Sequence, residues 1–351
     1  MEKAVAREAD PSEWKAIIDA FADHNFENSL SYVNALAKRM GHKIRLMYVE
    51  SPSGLVGAAA IRMKTVPVLG RGVAYVSSGP LWRRKSIGLA AEYPGQVMAA
   101  FKSQLVDREG HILLARLAIG PAAVHEAHGS VCTTNGFYST SLVRNYHTVL
   151  IDLRPDEQVL RANLHSKWRN MLNQSAKSEL TLEIGYDASY WQRFLALFSE
   201  MKEAKEFDEG LGPQFFAQLD CRETGLIFLM AQKDGKDVGS VIISALGDTA
   251  IYLFGATNTA GRDLRAGYHL IWSAMIHCKN AGFRNYDLGG IDTDSNHGGY
   301  QFKTRMGGEI VDAAGPFQAV PVGVMGKVLV RALTMRHNFT SRKSSAGVKS
   351  A

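Results

Sequence analysis

One pattern of apolar and polar positions occurs twice along the chain. Residues 45–61 read RLMYVESPSGLVGAAAI and residues 228–243 read FLMAQKDGKDVGSVII. Each is an apolar run, a turn-rich break, and a second apolar run opened by Val-Gly. Val56-Gly57 in the first corresponds to Val238-Gly239 in the second. The breaks SPSG and KDGKD are turn signals, so both stretches predict strand hairpins. Further on, YVSSGP (75–80) stands where YLFGAT (252–257) stands in the second copy. Order and spacing repeat, as internal duplication requires.

The flanking segments follow the same plan. A helical segment precedes each hairpin, over 11–40 and again over 188–222. A helix follows each, over about 92–107 and about 262–281, and then a strand, HILLARLAI or FRNYDLG. Leu264, Tyr268, Ile271, Trp272 and Met275 recur at three- and four-residue steps, the apolar face of a helix lying on a sheet. Gly282 is the expected stop of that helix. Asp156 begins another helix, whose middle carries His165, Lys167, Trp168 and Arg169, with Lys177 beyond; a tryptophan inside this basic run reads as an anion-contacting surface, against a plainly solvated face. Repeated helices and antiparallel strands predict two α+β domains of one type. The expected division is 1–148, 149–314 and a C-terminal segment 315–351 with a basic tail.

Length and composition agree with this scheme. The 351 residues suit about two domains, and 46% hydrophobic against 21% charged residues allows real cores. Net charge is +6 and the pI about 9.1, a mild bias toward anionic partners. The three cysteines, Cys132, Cys221 and Cys278, are far apart and form no CxxC pair. Neither a disulfide framework nor a structural zinc site is expected, and a reducing compartment fits. The N-terminal MEKAVAREADPSEWKAII places acids where a secretory signal needs an apolar core, and no apolar run approaches the roughly 18 residues of a membrane span. A cytoplasmic protein is expected, with any membrane contact peripheral.

The chemistry-bearing stretch is SNHGGYQFKTRMGGE (295–309): two glycine pairs bracketing an aromatic, a lysine and an arginine. Taken with LHSKWRN, IYLFGATN, RDLRAGYHLIWSAMIHCKNAG and YDLGGID before it, it resembles the FemABX family of aminoacyl-tRNA-dependent peptidyltransferases. The likeness covers most of 163–317. It implies two tandem GNAT-like domains, with the C-terminal stretch returning to the first; some members carry a coiled-coil insertion, but no heptad insertion is visible here, so this would be the compact form. It also implies transfer of an amino acid from aminoacyl-tRNA to an amine of a peptidoglycan precursor, nucleotide- or lipid-linked, with no cofactor and no metal.

The resemblance assigns residues as well. Lys303, in YQFK, falls at the reaction centre. On its residues alone it reads as a helix-surface lysine. A fixed cation there suits a tetrahedral intermediate with a developing oxyanion, and the nearby Gly298, Gly299, Gly307 and Gly308 suit close backbone approach to substrate. Asp287, in YDLGG, is placed to orient the amine or relay a proton, or else caps a turn. Tyr252 matches a substrate-contacting tyrosine, or is a strand core aromatic. Lys38, in LAKRMG, matches a phosphate-binding lysine, or ends a solvated helix. Arg305, Lys167 and Arg169 complete the candidate substrate contacts. MKEAKEFDEG departs from the family: Lys205 and Glu206 precede Phe207 where an arginine is expected, which weakens the case for a nucleotide-linked acceptor.

Two other functions compete. An acyl-CoA-dependent GNAT-type N-acyltransferase of cell-envelope or exopolysaccharide synthesis would bind pyrophosphate at a helix N-terminus through RDLRAG (262–267), but Arg265 stands where that loop wants glycine. A non-catalytic RNA- or membrane-surface-binding protein would use the C-terminal mixture of Val324, Val328, Leu329 and Leu333 with Lys327, Arg331, Arg336, Arg342 and Lys343, which equally reads as a helix packed on its own domain. HEAH (125–128) lacks a third metal ligand, and His297 is a possible base in a glycine loop. The sequence names neither the amino acid, the acceptor nor the oligomeric state.

Overall fold

The computed structural model describes residues 4–66, 69–86, 93–120, 122–203, 211–291 and 296–323, with 326, 328, 330, 331 and 333 beyond them. Glu92, Lys205, Glu206, Phe207, Ser295, the side chain of His125, and Val324, Lys327, Leu329, Arg336, Arg342 and Lys343 lie outside the described residues.

In chain order the strands are β1 (Val5–Glu8), β2 (Lys43–Ser51), β3 (Gly54–Thr65), β4 (Gly72–Ser77), β5 (Ile112–Arg116), β6 (Tyr138–Ser139), β7 (His147–Asp152), β8 (Thr181–Gly185), β9 (Leu226–Lys233), β10 (Lys236–Leu246), β11 (Thr249–Thr257), β12 (Asn285–Asp287), β13 (Glu309–Asp312) and β14 (Phe317–Ala319). The helices are α1 (Trp14–Asp19), α2 (Leu30–Met40), α3 (Tyr93–Phe101), α4 (Ala122–Thr134), α5 (Glu157–Asn163), α6 (Ser166–Ala176), α7 (Ser189–Glu203), α8 (Pro213–Phe216), α9 (Thr259–Asp263), α10 (Ala266–Asn280) and α11 (His297–Thr304). A π-helical segment, Lys102–Arg108, continues α3.

The chain divides into two compact units. One comprises Met1–Phe21, Val33–Tyr146 and Ala313–Ala351; the other comprises Ala22–Tyr32 and His147–Asp312. The 22–32 segment, which the sequence leaves in the first domain, clusters with the second unit. There Phe26 meets Phe216 and Tyr32 meets Phe215 edge-on, with ring centroids 5.5 and 5.8 Å apart, and this aromatic burial outweighs chain proximity.

Each unit holds a seven-stranded mixed sheet with the same plan. The first runs β1-β2-β3-β4-β5-β14-β6 and the second, from the matching edge, β8-β9-β10-β11-β12-β7-β13. Positions four and five, β4–β5 and β11–β12, are parallel, and the other pairs are antiparallel. The sixth position is filled out of order in both. In the first sheet it is β14, from late in the chain; in the second it is β7, the strand that directly follows β6.

Local sequence explains the elements. Asp234 and Gly235 turn the β9–β10 hairpin with positive φ at both positions, 49° and 74°, the geometry that suits a two-residue hairpin loop. Leu160, Leu164, Trp168 and Leu172 recur at steps of four and are all buried in the core under α10. Trp168 is therefore a core anchor, 2% exposed, and not part of an anion-contacting surface: its spacing from the leucines turns it inward while Lys167 stays out. In the first unit, Val330 and Leu333 pack with Val73 and Tyr75 on Ile112 and Leu114, so this part of the C-terminal segment covers its own sheet.

The duplication reaches the packing. Gly57 on β3 and Gly239 on β10 each lie where a helix crosses the sheet. A methyl at Gly57 would come within 2.8 Å of Val97 Cγ1 on α3; one at Gly239 would come 3.1 Å from Leu270 Cδ1 on α10. Both Val-Gly pairs exist because a helix presses on that point of the strand.

Candidate active site

The parallel pairing of β11 with β12 ends at Ile251–Asp287. From Tyr252 onward the two chains part. β11 continues beside β10, with a bulge between Ile242 and Ile243 that leaves Leu253 as the extra residue. The segment after β12 instead follows β7, with Leu288 N–H donating to the Val149 carbonyl at 3.0 Å and Ile291 N–H to the His147 carbonyl at 3.0 Å. Gly289 still lies against the Tyr252 carbonyl, and past that contact a wedge opens between β11 and residues 290–291. The C-terminal ends of parallel strands are where such sheets commonly place ligands.

Lys303 reaches this wedge from α11. Its Nζ donates to the carbonyl of Gly290 at 2.8 Å and of Gly289 at 3.3 Å, and lies 5.5 Å from the centre of the Tyr252 ring. Two of its three N–H bonds are thus engaged and one remains to donate. Burial pushes its pKa down to about 8, and the negative charge of Asp287 opposes that fall. Burial likewise pushes the Tyr252 phenol up to about 12, so it stays protonated at neutral pH. On the other side of α11, Phe302 packs against Trp168 and Tyr268, with ring centroids 5.7 and 5.0 Å away, and this aromatic wall fixes the helix that carries Lys303. Asn296 caps the helix by accepting from Gly299 N–H at 2.9 Å.

Asp287 is fully buried. Its Oδ1 accepts from Gly289 N–H at 2.8 Å and from the Thr148 hydroxyl. The carboxylate shapes the turn that presents the Gly289 and Gly290 carbonyls. With no exposure and these bonds, the side chain caps the turn, the second of the two roles expected of it.

The structure brings Lys303, Tyr252 and Asp287 together and uses the remaining candidates differently. Arg305 closes α11, half-buried, its carbonyl accepting from His165 N–H at 3.0 Å. Arg169 donates to the Ala162 carbonyl at 3.1 Å, bracing the end of α5, while Lys167 is exposed with its N–H on His165 Nδ1 at 3.2 Å. Lys38 belongs to the first unit, exposed in the last turn of α2, where a cation suits the helix dipole. Gly307 and Gly308 serve packing, not substrate approach: side chains there would strike the Asn163 and Leu150 carbonyls. His128 is buried, edge-on against Trp82 with ring centroids 4.7 Å apart. His297 is exposed and contacts Gln301 at 2.6 Å. Arg265 adopts a left-handed conformation, φ 58°, before α10, and its guanidinium donates to the Arg262 carbonyl at 2.9 Å. Sequence reasoning missed Thr148 and the two carbonyls. YDLGG did contain the signal: an acid two residues before a glycine pair is an Asx-turn pattern.

Among the described residues, no cluster of three or more His, Cys, Asp or Glu is arranged to hold a metal, and no helix is long and apolar enough to cross a membrane.

Two sheets of this topology in one chain, each with a parallel fourth and fifth strand, define a tandem GNAT-like fold. The model of the FemAB family matches residues 216–329, the stretch that contains β11, β12 and α11. Solved structures similar to the chain include FemX, at TM-score 0.74 and 15% identity over 91% of this chain and 97% of that one. They also include the C-terminal domain (DUF2156) of a putative lysylphosphatidylglycerol synthetase from Agrobacterium fabrum, at TM-score 0.53 and 14% identity over 92% and 96%. A third is L-PGS from Bacillus licheniformis, at TM-score 0.51 and 11% identity over 94% and 98%. No curated protein sequence matches. The FemABX resemblance thus stands on a family-model match and on the fold, and supports a transferase of the acyltransferase kind.

Proposed function

We propose that the protein is a cytoplasmic aminoacyltransferase that moves an amino acid from aminoacyl-tRNA to an amine of a peptidoglycan precursor or related envelope acceptor. The acceptor is nucleotide-linked or lipid-linked, the latter with peripheral contact at the inner face of the membrane. No cofactor takes part in this reading. The observation that carries it is the Lys303 ammonium, held by two carbonyls at the mouth of the β11–β12 wedge with one N–H bond to give.

The reaction needs little else. The ester to tRNA is already activated. The acceptor amine attacks its carbonyl carbon, a C–N bond forms, and negative charge gathers on the carbonyl oxygen. The C–O bond to the ribose then breaks, and the proton lost by nitrogen ends on the leaving oxygen. Lys303 would donate to the oxyanion, an interaction worth about 3–4 kcal/mol for a fixed donor. Holding both substrates in the wedge lowers the entropic part of the barrier. Lys167 and Arg305, in the same unit as the wedge, are the candidate contacts to anionic parts of the substrates. Arg265 argues against the acyl-CoA alternative, because its side chain and left-handed backbone occupy the loop where pyrophosphate needs close approach.

The test is label transfer to nucleotide-linked and lipid-linked precursors from a pool of aminoacyl-tRNAs and, in parallel, from acetyl-CoA, with Lys303→Ala as control. Transfer from tRNA that falls at least a hundredfold in the variant is expected. Transfer from acetyl-CoA alone would overturn the reading.

A further inference from the structure

Thr148 lies on β7, the strand that enters the second sheet out of chain order. It is fully buried and touches no solvent, so no substrate reaches it. Its hydroxyl donates to Asp287 Oδ1 and lies 3.0 Å from the Gly289 carbonyl oxygen. Asp287 Oδ1 also accepts the Gly289 N–H, closing the turn, and Gly289 holds φ at 72°. A single hydroxyl therefore touches both ends of the turn whose carbonyls, at Gly289 and Gly290, hold Lys303 Nζ.

We propose that Thr148 is a positioning residue for Lys303, acting through the Asp287–Gly290 turn; its role in catalysis rests on the aminoacyltransferase reading above. The hydroxyl fixes the turn from β7, the turn fixes two carbonyls, and the carbonyls fix the direction of the remaining N–H bond. The groups facing the ammonium are the Tyr252 ring on β11, the Asp287 carboxylate on β12 and the two carbonyls; Asp287 is the charged one whose effect on Lys303 is resolved. Loss of the hydroxyl lets the turn relax. The ammonium then loses acceptors while burial, which disfavours its charge, persists. Its proton should leave at lower pH, and its aim should blur.

A purely structural threonine would move stability without moving that proton. The experiment therefore reads the proton directly. The free protein, without any donor, is labelled by trace acetic anhydride from pH 6 to 10, and acetylation of Lys303 is followed by peptide mass spectrometry. Thr148→Val removes the hydroxyl at nearly constant volume, and Thr148→Ser keeps it. The expected result is a labelling midpoint at least half a pH unit lower in Thr148→Val, restored in Thr148→Ser. With the donor that the wild type uses, kcat should fall about tenfold in Thr148→Val with KM within twofold. If Thr148→Val does not fold, Thr148→Ala against Thr148→Ser makes the same comparison, since those two differ by the hydroxyl alone. Equal Lys303 midpoints in the hydroxyl-bearing and hydroxyl-free variants overturn the proposal. The labelling arm uses no tRNA, so a failed donor assignment leaves its outcome readable, and a failed labelling result leaves the donor assignment standing.

Discussion

The Lys303 ammonium lies 5.5 Å from the centre of the Tyr252 ring, while the hydroxyl of that tyrosine lies against Gly255 on the same strand. The ring face, not the phenol, is what the lysine meets. A cation over an aromatic face gains about 0.5–2 kcal/mol, more as water is excluded. Tyr252→Phe should thus keep kcat within about threefold, whereas Tyr252→Leu should lower it about tenfold, the equivalent of about 1.4 kcal/mol. Steady-state kinetics of the two variants checks this. Equal losses in both would show that the hydroxyl is the functional part.

The lowered pKa of Lys303 sets two pH dependences of defined sign. Activity that needs the ammonium should fall as pH rises through about 8. Stability runs the other way. Below about 8 the lysine is charged in both states, and the native state bears the whole cost of burying that charge. From about 8 to the ordinary 10.5, the native lysine is neutral while the unfolded chain still binds the proton. The unfolded state then holds more protons, so stability rises with pH across that window. Lys303→Met should be inactive yet more stable than wild type by about 1–2 kcal/mol at pH 7, since a pKa unit is about 1.4 kcal/mol and part is lost with the two carbonyl bonds. The gain should shrink as pH passes 8. Thermal unfolding of both proteins at pH 7 and pH 10 provides the measurement.

Gly289 bears a steric demand set by backbone on both counts, its own conformation and a neighbouring carbonyl. Its φ of 72° is left-handed, and a methyl there would lie 2.5 Å from the Tyr252 carbonyl oxygen and 3.6 Å from Lys303 Nζ. Gly289→Ala should cost about 1–3 kcal/mol in backbone strain and remove transfer activity. Gly129→Ala, on α4 of the first unit, is the control, because its added methyl would meet only Phe317 Cζ, at an ordinary 3.9 Å. It should retain activity within about threefold.

Local signals made much of this fold legible. The Asp234-Gly235 turn, the Gly282 stop at φ 87° and the four-residue spacing from Leu160 to Leu172 all act over a few residues, so the chain displays them directly. Resemblance to a family motif singled out Lys303 and Tyr252, and the structure places the ammonium 5.5 Å from the centre of the ring. The rest depends on contacts far apart in sequence. Nothing local in PFQA marks β14 as the strand between β5 and β6, nor in YHTVL marks β7 as the partner of β12. Thr148 reads as an ordinary strand threonine until β7 brings it to Asp287, 139 residues away. Trp168 misled for a related reason: the basic residues around it are visible, but the leucine spacing that turns it inward decides its place.

The paired glycines offer a quantitative check on the duplication. At Gly57 an added methyl meets Val97, whose branched side chain is held in the core under α3; at Gly239 it meets the ends of Thr257 and Leu270, 3.0 and 3.1 Å away. Overpacking a filled core costs about 1–3 kcal/mol, and the closer contact, at Gly57, costs more. Gly57→Ala should therefore destabilise the first unit by about 2 kcal/mol, and Gly239→Ala the second by about 1 kcal/mol. Val97→Ala, which removes the colliding methyls, should rescue Gly57→Ala so that the double variant is at least about 1 kcal/mol more stable than the sum of the single effects predicts. Because two units need not unfold together, the readout is amide hydrogen exchange, with protection followed on β2–β4 for one unit and β9–β11 for the other. Simple additivity of Gly57→Ala and Val97→Ala would mean that the helix does not press on the strand at Val-Gly, and the repeat would then be one of sequence pattern alone.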